Sequence, residues 1–162
     1  MRAIVFLFAA LLVPANAFAA SADNTSHLPL PRFVSLRNGV VNMRTGPGFR
    51  YPIKWVYKKR GLPVEVTAEY DIWRRVRDPG GEEGWISKTE LTGVRNAFVK
   101  EGPQNLFKRA DTKTPVVAHL EKGAIGKILS CEPLWCKISF DGVKGFLPKT
   151  GFWGAHADET FD

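Results

Sequence analysis

The sequence predicts an all-β protein made of two tandem copies of one small β domain, preceded by a cleaved export signal. Three observations carry that prediction. The chain overlays on itself over most of its length. Each copy holds short runs of alternating apolar and polar residues bounded by Gly, Pro and Asp, with no long amphipathic helical pattern. The first residues have the composition of a secretory signal rather than of a fold.

In chain order, "MRAIVFLFAALLVPANAFAA" opens with Arg2 and an apolar run over 3–13, followed by Pro14 and small residues spaced as Ala-x-Ala. The run is too short for a permanent membrane span, so it reads as a signal peptide over 1–19, cut after Ala19. No Cys follows to take a lipid anchor. A linker over 20–32, a first domain over 33–93, a second over 94–154 and an acidic tail over 155–162 complete the organisation. The expected location is the periplasm or the medium, with no stable membrane insertion.

The overlay begins at an offset of 63, slips to 62 and ends at 61. Asn42 falls on Asn105, Pro52 on Pro115, Gly61 on Gly123, Trp73 on Trp135, Gly84 on Gly145 and Lys88 on Lys149, and apolar residues keep step between them. Both slips fall in turn-like stretches that tolerate insertion. In the first copy "GLPVEVTAEY" sets Val64, Val66, Ala68 and Tyr70 on one strand face and Glu65, Thr67 and Glu69 on the other. "WRRV" and "GWI" supply two further strands around the turn "DPGGEEG". "YPIKWVYKK" allows one helical turn, but its composition favours a strand. The second copy repeats the scheme as "AIGKILSC", "WCKISF", the turn Asp141-Gly142 and "KGFLP".

Copies of about 60 residues are near the lower limit for an independent core. The first has Trp55, Tyr57, Tyr70, Trp73 and Trp85 to support it. The second has Cys131 and Cys136 flanking "EPLW", which in an oxidising compartment read as a disulfide across a hairpin tip. A zinc site would need two more ligands, and the three histidines lie on separate segments. No metal or other cofactor is expected.

The net charge is +7, and the stretches 28–93 and 94–154 each carry a surplus of five basic groups. That surplus suits anionic polymers or simple solubility, and export makes nucleic acid the least natural partner. Catalytic signatures are missing: no Gly-x-Ser-x-Gly turn occurs, the cysteines are assigned to a disulfide, and Glu82-Glu83 lies in a surface turn unsuited to a raised pKa. The chain reads as a non-enzyme.

The stretch from Val41 to Leu91, "VNMRTGPGFRYPIKWVYKKRGLPVEVTAEYDIWRRVRDPGGEEGWISKTEL", resembles the bacterial SH3-like domain family. Val41, Asn42, Arg44, Gly46, Pro47, Gly61, Trp73, Val76, Gly84, Trp85 and Ile86 match its pattern. The second copy is diverged, with Phe107, Arg109, Ala110 and Asp111 in place of Arg44, Gly46, Pro47 and Gly48, and Phe146 in place of Trp85. The resemblance implies two small SH3-like barrels and a module that binds cell-envelope material, either peptidoglycan or a periplasmic protein partner. It also makes "RTGPG" the loop after the first strand, a corner rather than a phosphate cradle.

In SH3-like folds a shallow aromatic groove is the usual ligand surface. Trp73 lies three residues before Val76, so on a regular strand the two point to opposite faces, and a core Val76 implies a partly exposed Trp73. The same logic splits Trp85 from Ile86. The alternative is that both tryptophans cap the barrel rim or pack against the other copy. Tyr51 and Tyr70 divide in the same way between groove and packing. Arg75 beside Trp73 is placed to meet a carboxylate, or is simply solvated.

Overall fold

The computed structural model describes residues 25–162. The predicted signal peptide and its cleavage point lie outside the described residues. Two antiparallel sheets form. The first joins β1 (Arg32–Leu36), β2 (Val41–Arg44), β3 (Ile53–Tyr57), β4 (Pro63–Tyr70), β5 (Trp73–Arg77), β6 (Glu83–Ser87) and β7 (Leu91–Thr92) in the order β3-β2-β6-β5-β4-β1-β7. The second joins β8 (Asn96–Phe98), β9 (Gln104–Phe107), β10 (Val116–Leu120), β11 (Ile125–Cys131), β12 (Trp135–Phe140) and β13 (Val143–Pro148) in the order β10-β9-β13-β12-β11-β8. The second order is the first with each strand but β7 replaced by its repeat, the isolated Phe98–Trp153 bridge standing where β7 would be, and a 3-10 turn follows the last long strand of each copy, at Lys88–Glu90 and Lys149–Gly151. Among the described residues no helix is long and apolar enough to cross a membrane.

The repeat extends to single hydrogen bonds. Thr45 N donates to Pro52 O at 3.0 Å as Lys108 N does to Pro115 O at 2.9 Å, and Gly48 N to Gly46 O as Asp111 N does to Arg109 O. The "RTGPG" segment therefore turns a corner, and its diverged copy makes the same corner by other means. In the first copy the Arg44 guanidinium holds it, donating to Phe49 O at 3.1 Å and Tyr51 O at 2.7 Å. In the second, Asp111 Oδ1 accepts from Lys113 N at 2.9 Å, a local turn bond that makes the arginine unnecessary.

Each copy buries its own core. Leu36, Val41, Met43, Val64, Val66, Val76 and Ile86 fill the first, and Leu106, Ile128, Ile138, Leu147 and the two cysteines fill the second. The glycines Gly84 and Gly145 let strands cross at close range: a Cβ on Gly84 would lie 2.6 Å from Met43 Cγ, and one on Gly145 would lie 2.5 Å from Leu106 Cγ. Cys131 and Cys136 are register partners with Cα atoms 4.1 Å apart and form the predicted disulfide. The outward backbone of Cys131 pairs with Phe161, tying the C-terminal segment to β11.

The copies are joined by specific contacts. Gly61 and Gly123, equivalent turn positions with φ of 79° and 88°, each offer a carbonyl to the other copy. Asn96 Nδ2 donates to Gly61 O at 2.8 Å, and Lys59 Nζ donates to Gly123 O. Phe98 and Ile125 of the second copy pack on the first core. Phe33 meets Trp153 edge to face, with centroids 5.0 Å apart.

Two sequence expectations are corrected here. Glu65 does not stand on a solvated face: it is only 3% exposed. It takes an ion pair from Arg77 and lies 3.7 Å from His156 Nδ1, so the C-terminal segment covers the face that alternation assigns to water. Trp73 does point away from Val76, yet it is 5% exposed, because Phe49 of the corner loop closes over it with ring centroids 5.0 Å apart. Strand alternation says which face a residue takes, not what later covers that face.

Candidate functional site

The site begins with β3. In "IKWVY" the period of two puts Trp55 and Tyr57 on one face, opposite Met43 and Val41 of β2. Tyr57 is buried, whereas Trp55, nearer the open end of this edge strand, keeps 51% of its surface exposed. Trp55 therefore does not complete the first core as its composition suggests. It forms one wall of a cleft of about 460 Å³ between the copies. Tyr57, Lys59 and Leu62 of the first copy and Phe98, Lys100, Glu101 and Lys122 of the second also line it.

The β5–β6 turn closes one side and is rigidly built. Asp78 Oδ1 accepts from Gly80 N at 2.8 Å and Glu82 N at 2.9 Å, while Asp78 Oδ2 accepts from the Tyr57 hydroxyl at 3.0 Å. Burial, and then the adjoining Asp78 carboxylate, push the Tyr57 phenol far above its ordinary pKa, so it stays a neutral donor. Asp78, with three donors, is committed to the turn. Lys59 reaches across the junction with its ammonium 5.5 Å from the Phe98 ring centroid, and Lys100 stands similarly over Trp153. The result is an aromatic trough with an ammonium rim, suited to stacking against a flat or ring-shaped group and meeting anionic substituents beside it. Among the described residues no cluster of His, Cys, Asp or Glu is placed to hold a metal.

By the repeat, Trp55 and Tyr57 correspond to Ala118 and Leu120, so the second copy has no aromatic pair of its own and instead supplies one wall to the first.

The residues singled out from the sequence lie elsewhere. Tyr51 packs on the corner loop, where a Cβ on Gly46 would lie 2.4 Å from its ring. Tyr70 is 62% exposed at the β4–β5 hairpin, in register with the buried Trp73. Arg75 donates to Glu83 at 2.7 Å, and half-buried Trp85 is flanked in register by Arg75 and Arg44. Arg75 and Trp85 are thus brought together on the outer face of the first sheet, but none of the five lines the cleft. The signal for Trp55 was present in the alternation of "IKWVY". Its partners Phe98, Lys100 and Lys122 carry no motif, because only docking of the copies places them there.

Two small β domains of repeated topology thus share one aromatic cleft. The family model for the bacterial SH3 domain matches residues 38–93 and 100–154, and the chain belongs to that family. Its domains bind protein or cell-wall ligands. No curated protein matches the chain in sequence. Among solved structures, NlpC2 from Trichomonas vaginalis is 14% identical with a TM-score of 0.36, covering 77% of this chain and 48% of its own. NlpC1 from the same organism is 15% identical with a TM-score of 0.36, covering 82% and 49%. The chain spans about half the length of either.

Proposed function

We propose that this chain is an exported, non-catalytic module of the cell envelope that grips peptidoglycan in the cleft between its two copies. The observation that carries the reading is half-exposed Trp55 facing a wall with Lys100 and Lys122 from the other copy. The basic surplus in both copies supports an anionic polymer as ligand, and the signal-like first residues support export. The test is retention of purified protein on isolated peptidoglycan at moderate salt. Wild type is expected to bind, and Trp55→Ala to bind about tenfold more weakly, as loss of an aromatic anchor implies. Equal retention of Trp55→Ala would remove the cleft from the reading. The second reading is a periplasmic adaptor that engages another protein. It is favoured by β3, an edge strand paired only with β2 and exposing Ile53 and Val56 beside Trp55. Absence of peptidoglycan binding, with a protein crosslinked near Trp55 in periplasmic material, would select it. Release of soluble fragments from peptidoglycan would overturn the non-catalytic assignment.

A further inference from the structure

The charged groups that line the cleft nearly cancel: Lys59, Lys100 and Lys122 stand against Asp78 and Glu101. Most are already committed. Asp78, the buried member, takes its three donors from Gly80 N, Glu82 N and the Tyr57 hydroxyl. Lys59 Nζ donates to Gly123 O and stands over the Phe98 ring, and the Lys100 ammonium lies 5.5 Å from the Trp153 ring centroid. Lys59, Lys100, Glu101 and Lys122 are all exposed, so water and salt screen them. The lining therefore holds no buried cation that seeks a carboxylate and no uncommitted buried carboxylate that seeks an ammonium. What it does offer is flat apolar surface: Trp55, with 51% of its area exposed, and Phe98 from the other copy.

Resting on the reading of peptidoglycan as ligand, we infer that the cleft takes the glycan strand of that polymer and leaves the stem peptide outside. The two parts differ in the property the cleft selects. The strand is a run of N-acetylated pyranose rings, uncharged wherever a stem is attached. The stem carries carboxylates and an ammonium, for which the lining has no built partner. A pyranose ring presents a face of C–H groups that packs on the negative π face of an aromatic ring, while its hydroxyls and acetamide carbonyls turn to polar groups at the edge. Lys100 and Lys122 supply N–H donors there, a role in which an ammonium needs no anion.

The experiment titrates the mature protein with the N-acetylglucosamine hexamer, which has the rings and acetamido groups of the strand and no stem, and separately with free stem peptide, both by isothermal titration calorimetry. Wild type is expected to bind the hexamer saturably and to give no heat with the stem peptide. Trp55→Ala should bind the hexamer about tenfold more weakly. Trp55→Phe, which keeps a flat ring, should retain most of the affinity. Trp55 is half-exposed on an edge strand, so circular dichroism and melting of both variants are expected to match wild type. No saturable response to the hexamer, an equal response from Trp55→Ala, or binding of the stem peptide in its place overturns the inference. Retention on whole peptidoglycan is read apart from this: retention without a hexamer response overturns the glycan inference and leaves the peptidoglycan reading. A hexamer response without retention does the reverse.

Discussion

Phe33 of the first copy meets Trp153, near the end of the second, edge to face with centroids 5.0 Å apart and planes at 88°. The contact joins the start of one barrel to the end of the other, and Arg95 and His156 also pack against the Phe33 ring. Phe33→Ala is expected to cost about 3 kcal/mol, the usual range for a buried aromatic. In a cycle with Trp153→Ala, part of that loss, about 1 kcal/mol, should appear as coupling. Urea unfolding measures both. Zero coupling would mean that Phe33 serves its own copy alone.

Acid stability should depend on Glu69. Burial alone raises its pKa, but the Ser26 hydroxyl and amide, each 2.6 Å away, and then the Arg32 guanidinium more than offset this and bring it to about 2. The folded pKa lies below the unfolded one, so the contribution is fully present above about pH 4.5 and is lost as pH falls toward 2. Glu69→Gln should therefore be less stable than wild type at pH 6, with the gap closing through that window. A gap unchanged from pH 6 to pH 2 would refute the assignment. The same variant should loosen residues 25–31, which Glu69 tethers through Ser26.

The matched glycines give a paired prediction. Gly84→Ala drives a methyl against Met43 and Arg44 O, and Gly145→Ala drives one against Leu106 and Phe107 O. Each should destabilise by about 1–3 kcal/mol, read as a shift in the midpoint of denaturant unfolding. Tolerance at one site only would show that the two copies differ in packing despite their common topology.

Thiol titration under denaturing, non-reducing conditions should find no free thiol, since Cys131 and Cys136 are joined. Reduction should cost about 2 kcal/mol, the low end expected for so short a loop. Hydrogen exchange should then rise more in β11 and β12 than in β4 and β5. The segment held by the Cys131–Phe161 pairing should loosen as well, because its anchor strand is the one released.

Much of the fold was legible because it is written in local chemistry. The turn residues, the alternation in β4 and β11 to β13, and the cysteine spacing each follow from the backbone geometry of a few neighbouring residues. The fidelity of the repeat, down to equivalent loop hydrogen bonds, makes the two domains legible in the sequence. The sequence leaves Trp73 open between groove and packing because its cover, Phe49, lies on a loop whose path alternation cannot give. Trp55 was grouped with the core aromatics because its strand is a sheet edge, and edges are known only once pairing is.

By itself the sequence determined the β class, the two-copy organisation, the disulfide and the surplus of positive charge, since composition, period and turn chemistry are properties of short segments. The tertiary structure alone decided how the copies meet: Gly61 and Gly123 exchanging bonds across the junction, Glu65 buried beneath His156, and Phe98 and Lys122 brought opposite Trp55. Those residues lie far apart in the chain and share no motif. Their proximity follows from burying apolar surface between two barrels, a non-directional force that leaves no periodic trace in either copy.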